Sequence, residues 1–183
     1  GVRGGATMSR YGQTERELRE RVEDTAVDRV TEALNRDTGS DCPGSCLCHN
    51  PTPKRIAELV VKFNDGTLKT DGVYVLECKP RHVTQRTVRE ELELQHASRW
   101  VERAQNAERL LYVGMSVDIP NRLKQHAQAK GSGANFTQMF PASRVLSVQW
   151  FNSKSLAYRA EEITAEVLRE NITDSGVYVA QPG

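Results

Sequence analysis

No apolar run in this sequence approaches the ~20 residues that a membrane-crossing helix requires, so no such helix is expected within it. No apolar stretch follows the early basic residue Arg3, so no secretory leader is expected. Cysteine is scarce, four residues with three of them between positions 42 and 48. Without a leader they are expected in a reducing intracellular compartment, cytoplasmic or nucleoid-associated. Neither sign of charge dominates, the formal balance being +1, and that balance alone says nothing about partners. Internal repeats and low-complexity segments are also lacking.

What is present bounds the fold. The chain has 183 residues, 38% of them hydrophobic. That suits one domain, or a small domain with an extension, around a modest core. Charge is unevenly spread. Between Arg109 and Ala160 there are seven basic residues, namely Arg109, Arg122, Lys124, Lys130, Arg144, Lys154 and Arg159, against the single acid Asp118. Between Gly1 and Ser40 the balance is seven basic to eight acidic. A local basic surface suits a polyanion. A chance excess on a solvated face is an equal reading of the same count.

The glycine-rich Gly1–Met8 is set aside from the fold. A helix is expected from Thr14 to Asn35, where Thr14 and Glu17 resemble a capping box and Leu18, Val22, Ala26, Val30 and Ala33 or Leu34 recur at helical spacing. Its apolar stripe suits packing on the main domain or on a second copy, which makes homo-oligomerisation through this helix an open expectation. Residues 41–57 read as a Cys/His-containing loop punctuated by prolines. A strand is expected at Glu58–Phe63 with a turn at Asn64–Gly66, then strands at Val73–Cys78, Leu110–Met115, Val145–Phe151 and Val177–Ala180. Helices are expected at Thr84–Ala107, Asp118–Lys130 and Ser155–Glu170. The order divides the chain into an N-terminal extension (1–40), the loop (41–57) and a main domain (58–183), an α+β fold with a small sheet flanked by helices.

Two helices carry candidate chemistry. In the first, Asp118 is a plausible N-cap, Pro120 sits in the first turn and Gly131 closes the helix. Arg122 and His126, spaced i,i+4, project from one face. By themselves they could be solvated polar residues. In the last helix Glu161 falls on the apolar side with Ala157, Ala160, Thr164, Val167 and Leu168, while Glu162 falls on the polar side. An inward carboxylate needs a partner: a metal ion, or a salt bridge such as one to Arg122.

Two tyrosine strands precede these helices. The order Gly72-Val73-Tyr74, Tyr112-Val113-Gly114, Arg122, His126 and Glu161 resembles the GIY-YIG nuclease superfamily over roughly residues 72–169. The stretch Tyr112 to His126 is similar to the family's central motif, and Ser155 to Glu161 to its glutamate-bearing helix. The resemblance implies a mostly antiparallel sheet of three to five strands and a metal-dependent endonuclease. It also implies hydrolysis of phosphodiester bonds, most naturally in DNA rather than RNA, to a 5′-phosphate and a 3′-hydroxyl. The two tyrosine motifs stand 38 residues apart, where the family has a short connection, so 84–107 is read as an insertion in a hairpin. Asn171 is the nearest counterpart of an asparagine that many members carry beyond the glutamate.

Within that resemblance Glu161 holds Mg²⁺ or Mn²⁺, and Arg122 steadies the phosphate. Tyr74 is the implied base, assisted by Tyr112 and His126, although His126 with its near-neutral pKa can serve directly. Lys124, Lys130, Arg144 and Lys154 are expected to touch the nucleic-acid backbone. Cys42, Cys46, Cys48 and His49 form a Cys-x₃-Cys-x-Cys-His run that suggests structural zinc, with reduced loop thiols as the alternative. Two further readings remain beside the nuclease: a nucleic-acid-binding module of the same fold that does not cut, and a zinc-stabilised interaction protein.

Overall fold

Each long strand of this chain sends alternate side chains into two separate apolar layers, and that period of two builds the fold. A computed structural model describes residues 15–35, 46–63, 71–96, 99–128, 134–172 and 176–182. Strands β1 (Asp71–Cys78), β2 (Arg109–Ser116), β3 (Ala142–Phe151) and β4 (Val177–Ala180) form one sheet in the order β3-β1-β2-β4. β1 pairs antiparallel with both β2 and β3, and β4 runs parallel to β2. This is the mostly antiparallel α+β sheet expected.

From β1, Tyr74, Leu76 and Cys78 enter one layer while Val73 and Val75 enter the other. β2 does the same with Leu110 and Tyr112 against Leu111 and Val113. With both faces covered, nearly every residue of β1 is buried. On the Val73 side lie α1 (15–35) and the last helix, α7 (Lys154–Asn171). On the Tyr74 side lie α2 (Pro53–Val60), α3 (Gln85–Glu91), α4 (Trp100–Gln105), α5 (Ile119–Gln128) and α6 (Asn135–Met139).

The expected strand at Glu58–Phe63 is instead helical. α2 starts at Pro53 behind the N-cap Thr52, whose side chain accepts the Arg55 amide, and a 3-10 turn follows at Val61–Phe63. Thr-Pro is a helix-start signal. Ile56, Leu59 and Val60 are buried at i, i+3 and i+4, a spacing that imitates strand alternation when only Glu58 onward is considered. The turn expected at Asn64–Gly66 lies outside the described residues.

The single helix expected at Thr84–Ala107 is two short ones. α3 is capped by Thr84 and ends at Leu92, and Glu93 takes a left-handed φ of 55° that stops the helix. Val88 from α3 and Val101 and Ala104 from α4 enter the Tyr74-side core. The insertion leaves the strands in register, from Gly72 opposite Ser116 to Cys78 opposite Leu110.

The stripe of α1 is used within the chain. Leu18, Val22, Ala26 and Val30 are buried against α7 and β3 residues, so the apolar face that suggested a second copy is already covered. α1 also closes the free edge of β3. Arg21 donates to the Trp150 carbonyl at 2.6 Å and Arg29 to the Val148 carbonyl at 3.1 Å. Gln149 returns a bond to Thr25. Edge carbonyls left open invite pairing with another chain. The capping box at Thr14 lies outside the described residues.

Candidate active site

The β1–β2 register places Tyr74 opposite Gly114 and Leu76 opposite Tyr112. Both tyrosines therefore emerge on one face, one pair apart. The motif glycines are steric requirements there. A Cβ on Gly114 would lie 2.6 Å from the Tyr74 hydroxyl oxygen, and one on Gly72 would lie 2.9 Å from Ile119 Cδ1 and 3.3 Å from the Trp150 ring. The tyrosine ring crosses the sheet over Gly114 because no side chain stands in the way.

Helix α5 is laid over this face. Asp118 accepts the Asn121 side-chain amide at 2.5 Å, and Ile119 and Leu123 anchor the helix in the core. One turn beyond Arg122, His126 has no exposed surface, so the reading of this pair as solvated residues fails. The Tyr74 hydroxyl is 2.7 Å from His126 Nε2, and the Tyr112 ring centroid is 5.0 Å from that of the imidazole. His126 Nδ1 is 2.7 Å from the Thr137 hydroxyl on α6. Arg122 donates to Gln125 Oε1 at 2.8 Å, with its guanidinium near enough to Tyr74 to act on the phenol.

Burial sets the protonation of this cluster. It pulls His126 down to about 3, aided by the charge of Arg122. Burial also pushes both phenols above their ordinary value, with Arg122 acting in the opposite sense. The charge of Glu161 contributes to raising both tyrosines, which places its carboxylate within electrostatic reach of the pair.

α7 begins at the cap Ser153, whose hydroxyl accepts the Leu156 amide at 3.0 Å. Its inner side carries Ala157, Ala160, Glu161, Thr164, Val167 and Leu168, all buried. Glu162 is exposed and pairs with Arg159 at 2.7 Å. Glu161 is 9% exposed. Burial, and then the charge of Glu162, push it up to about 7. Among the described residues its carboxylate has no hydrogen-bond or ion-pair partner, so the salt bridge to Arg122 is not made.

A buried carboxylate without a partner suits a divalent cation. Among the described residues no group of three His, Cys, Asp or Glu side chains is arranged around a common point. A cation on Glu161 would therefore take its other oxygens from water and phosphate, which is the habit of Mg²⁺ and Mn²⁺.

The zinc expectation gains no site. Cys42 lies outside the described residues. The Cys48 amide donates to Cys46 Sγ at 3.2 Å and the Cys48 thiol to the Ser143 carbonyl at 3.4 Å. Cys46, Cys48 and His49 form no metal-ligating cluster among the described residues.

The expected backbone contacts divide. Arg144 is 6% exposed and bonds Glu77 at 2.6 Å, so it is structural. Arg109 pairs with the same carboxylate at 2.8 Å, and Arg159 with Glu15 at 2.6 Å. The acids that pair with Arg109, Arg144 and Arg159 come from outside the basic stretch, which a count along the sequence misses. Lys124 reaches the Pro51 carbonyl at 2.9 Å and ties α5 to the loop before α2. Lys154 is exposed at the start of α7, 5.9 Å from the centroid of the Tyr158 ring. Lys130 lies outside the described residues. Asn171 bonds the Val167 carbonyl at 2.8 Å in the last turn of α7, about 15 Å along the helix from Glu161, and serves that helix end rather than the site. Thr137 and Gln125, which hold His126 and Arg122, escape a reading of spacing alone because a threonine or glutamine on a short polar stretch carries no signal.

The family model of the GIY-YIG catalytic domain matches residues 71–171. No curated protein and no solved structure matches the chain. The match covers 101 of the 183 residues and contains Tyr74, Tyr112, Arg122, His126 and Glu161. On the family match and the cluster these residues build, the chain belongs to the GIY-YIG family and carries its catalytic domain.

Proposed function

We propose that this chain is a divalent-cation-dependent endonuclease that hydrolyses phosphodiester bonds in nucleic acid, DNA in preference to RNA, leaving a 5′-phosphate and a 3′-hydroxyl. The family supports a nuclease-type function in general. The observation that carries the finer reading is the Tyr74–His126 contact at 2.7 Å beside Arg122, within electrostatic reach of the unpartnered Glu161.

Both nitrogens of His126 are engaged, so the imidazole is poorly placed to meet a water directly. The phenol oxygen of Tyr74 has two lone pairs and one hydrogen. It donates to His126, which leaves its lone pairs for the neighbouring Arg122 and for an attacking water. In the step this implies, the water passes a proton to Tyr74 as Tyr74 passes its own to His126 Nε2, whose basicity, low in the empty site, rises once the anionic phosphate offsets the charge of Arg122. The water oxygen bonds to phosphorus as the bond to the 3′-oxygen breaks, and that oxygen takes a proton from solvent. Arg122 stabilises the charge on the non-bridging oxygens. A cation on Glu161 supplies Lewis-acid stabilisation when bound. Exposed Lys154 is the basic contact best placed to touch the backbone of the substrate. No helix among the described residues is long and apolar enough to cross a membrane, and an intracellular location is proposed on the cysteine usage.

The test is a labelled panel of linear, flapped, branched and single-stranded DNA with RNA, incubated with Mg²⁺ or Mn²⁺. Wild type is compared with Glu161→Ala and Arg122→Ala. Cutting that needs the cation and is lost in both variants supports the proposal. Salt-sensitive binding of nucleic acid without cutting by any of the three proteins overturns it in favour of a binding module.

A further inference from the structure

Thr137 lies outside every motif that marks this site, yet it is fully buried against His126. It sits on α6, reached through a connection after α5, and its hydroxyl is 2.7 Å from His126 Nδ1. The same hydroxyl oxygen is 3.2 Å from the Ala134 carbonyl, to which it donates. A threonine hydroxyl near a helix start commonly turns back to a carbonyl three or four residues earlier.

Hydrogen counting fixes the direction of the chain of bonds. Neutral imidazole carries one N–H, and His126 is neutral in its buried setting. Arg122 is only a donor and cannot take the phenol hydrogen of Tyr74. Among the described residues the acceptor at hand is His126 Nε2, at 2.7 Å. Nε2 is then unprotonated and Nδ1 carries the hydrogen. Thr137 accepts that hydrogen and sends its own to Ala134. The opposite tautomer makes Nε2–H point at Tyr74, leaves the phenol hydrogen with no acceptor in the cluster, and faces an unprotonated Nδ1 with a hydroxyl whose hydrogen is already on Ala134.

We propose that Thr137 is a positioning residue that holds His126 in its Nδ1–H tautomer, so that Nε2 faces Tyr74 as a proton acceptor. The residue touches no substrate and acts through the imidazole. The catalytic consequence rests on the nuclease reading above, but the tautomer is a property of the resting protein and is read without any cleavage. A base held in the wrong tautomer loses orders of magnitude in rate even when its position is kept.

The experiment labels histidine with ¹⁵N and records the ring nitrogens of His126 by NMR in wild type, Thr137→Val and Thr137→Ser, identified by loss of the signals in His126→Gln. Wild type is expected to show a protonated Nδ1 and an unprotonated Nε2. Valine keeps the shape and removes the acceptor, and is expected to shift population to the Nε2–H form. Serine restores the acceptor and the wild-type pattern. In cleavage assays valine is expected to lower kcat by on the order of 10²-fold at nearly constant KM, and serine to recover most of it. An Nε2–H histidine in wild type, or an Nδ1–H population unchanged in the valine variant, overturns the proposal. If no protein cleaves but the tautomer shifts as described, the positioning role stands and the nuclease reading fails.

Discussion

Gly114 and Tyr74 face each other across the β1–β2 pairing, and the tyrosine ring occupies the space where a side chain on residue 114 would stand. Its hydroxyl oxygen would lie 2.6 Å and its nearest ring carbons 2.8 Å from an added Cβ. Gly114→Ala must therefore move a ring held at its tip by His126. Overpacking of this kind costs about 1–3 kcal/mol, and displacing a reacting group by about 1 Å costs on the order of 10²-fold in rate. A measured loss in kcat well beyond the loss in thermal stability is expected. Wild-type cleavage by Gly114→Ala would show that the ring needs no such space.

Tyr74→Phe keeps the ring over Gly114 and deletes the hydroxyl between Arg122 and His126. Cleavage is expected to fall by about 10²–10⁴-fold, the usual range for a lost proton-transfer group. Stability should fall by about 1–3 kcal/mol, because a buried Nε2 loses its partner. Binding of uncut nucleic acid in a chelator should be unchanged. Retained cleavage by this variant would move the base to another group.

Arg144 and Lys154 stood together in the sequence as basic contacts, and the fold separates them. Lys154→Ala is expected to lower the salt dependence of nucleic-acid binding by about one unit of slope with little effect on stability. Arg144→Ala removes one of the two arginines on the half-buried Glu77 and should cost about 1–3 kcal/mol, with the Arg109 pair retained, while leaving the slope unchanged. Binding titrations across salt concentrations and denaturant melts read the two effects separately. A reduced slope in Arg144→Ala would return that residue to the binding surface.

Glu161 and His126 pull the pH dependence of stability in opposite directions in the cation-free protein. Glu161, raised from 4.5 to about 7, holds its proton longer in the folded state, so stability falls as pH rises across that window. His126, lowered from 6.5 to about 3, takes its proton more readily in the unfolded state, so stability rises with pH between those values. Glu161→Gln removes the first effect. In chelator the variant is expected to melt above wild type at pH 8, by roughly 2–4 °C for each kcal/mol relieved. It should keep the loss of stability on acidification below pH 6.5. Equal melting of the two proteins at pH 8 would mean that the Glu161 carboxylate is adequately solvated.

The site was more legible than its surroundings, for physical reasons. Tyr74 and Tyr112 lie on strands whose alternation decides the face they occupy. Arg122 and His126 are bound by the i,i+4 geometry of a helix, and Glu161 is separated from Glu162 by the same periodicity. α2 was not legible as a helix because Leu59, Val60 and Phe63 imitate an extended pattern once Thr52 and Pro53 are assigned to the preceding loop. The break between α3 and α4 depends on one left-handed backbone angle at Glu93, which apolar spacing does not encode. Arg144 seemed available because its partner Glu77 is 67 positions away in the chain. Thr137 matters through one hydroxyl in three dimensions and leaves no trace in spacing.

The guanidinium bonds from α1 to the outer carbonyls of β3 bear on how the catalytic domain behaves when isolated. A fragment beginning where the family match begins, at residue 71, would shed the helix and bare a ten-residue strand as a template for intermolecular pairing. It would also uncover the apolar residues of α7 and β3 that Leu18, Val22, Ala26 and Val30 protect. Such a fragment should self-associate, which makes the segment before the recognised domain its built-in guard against aggregation.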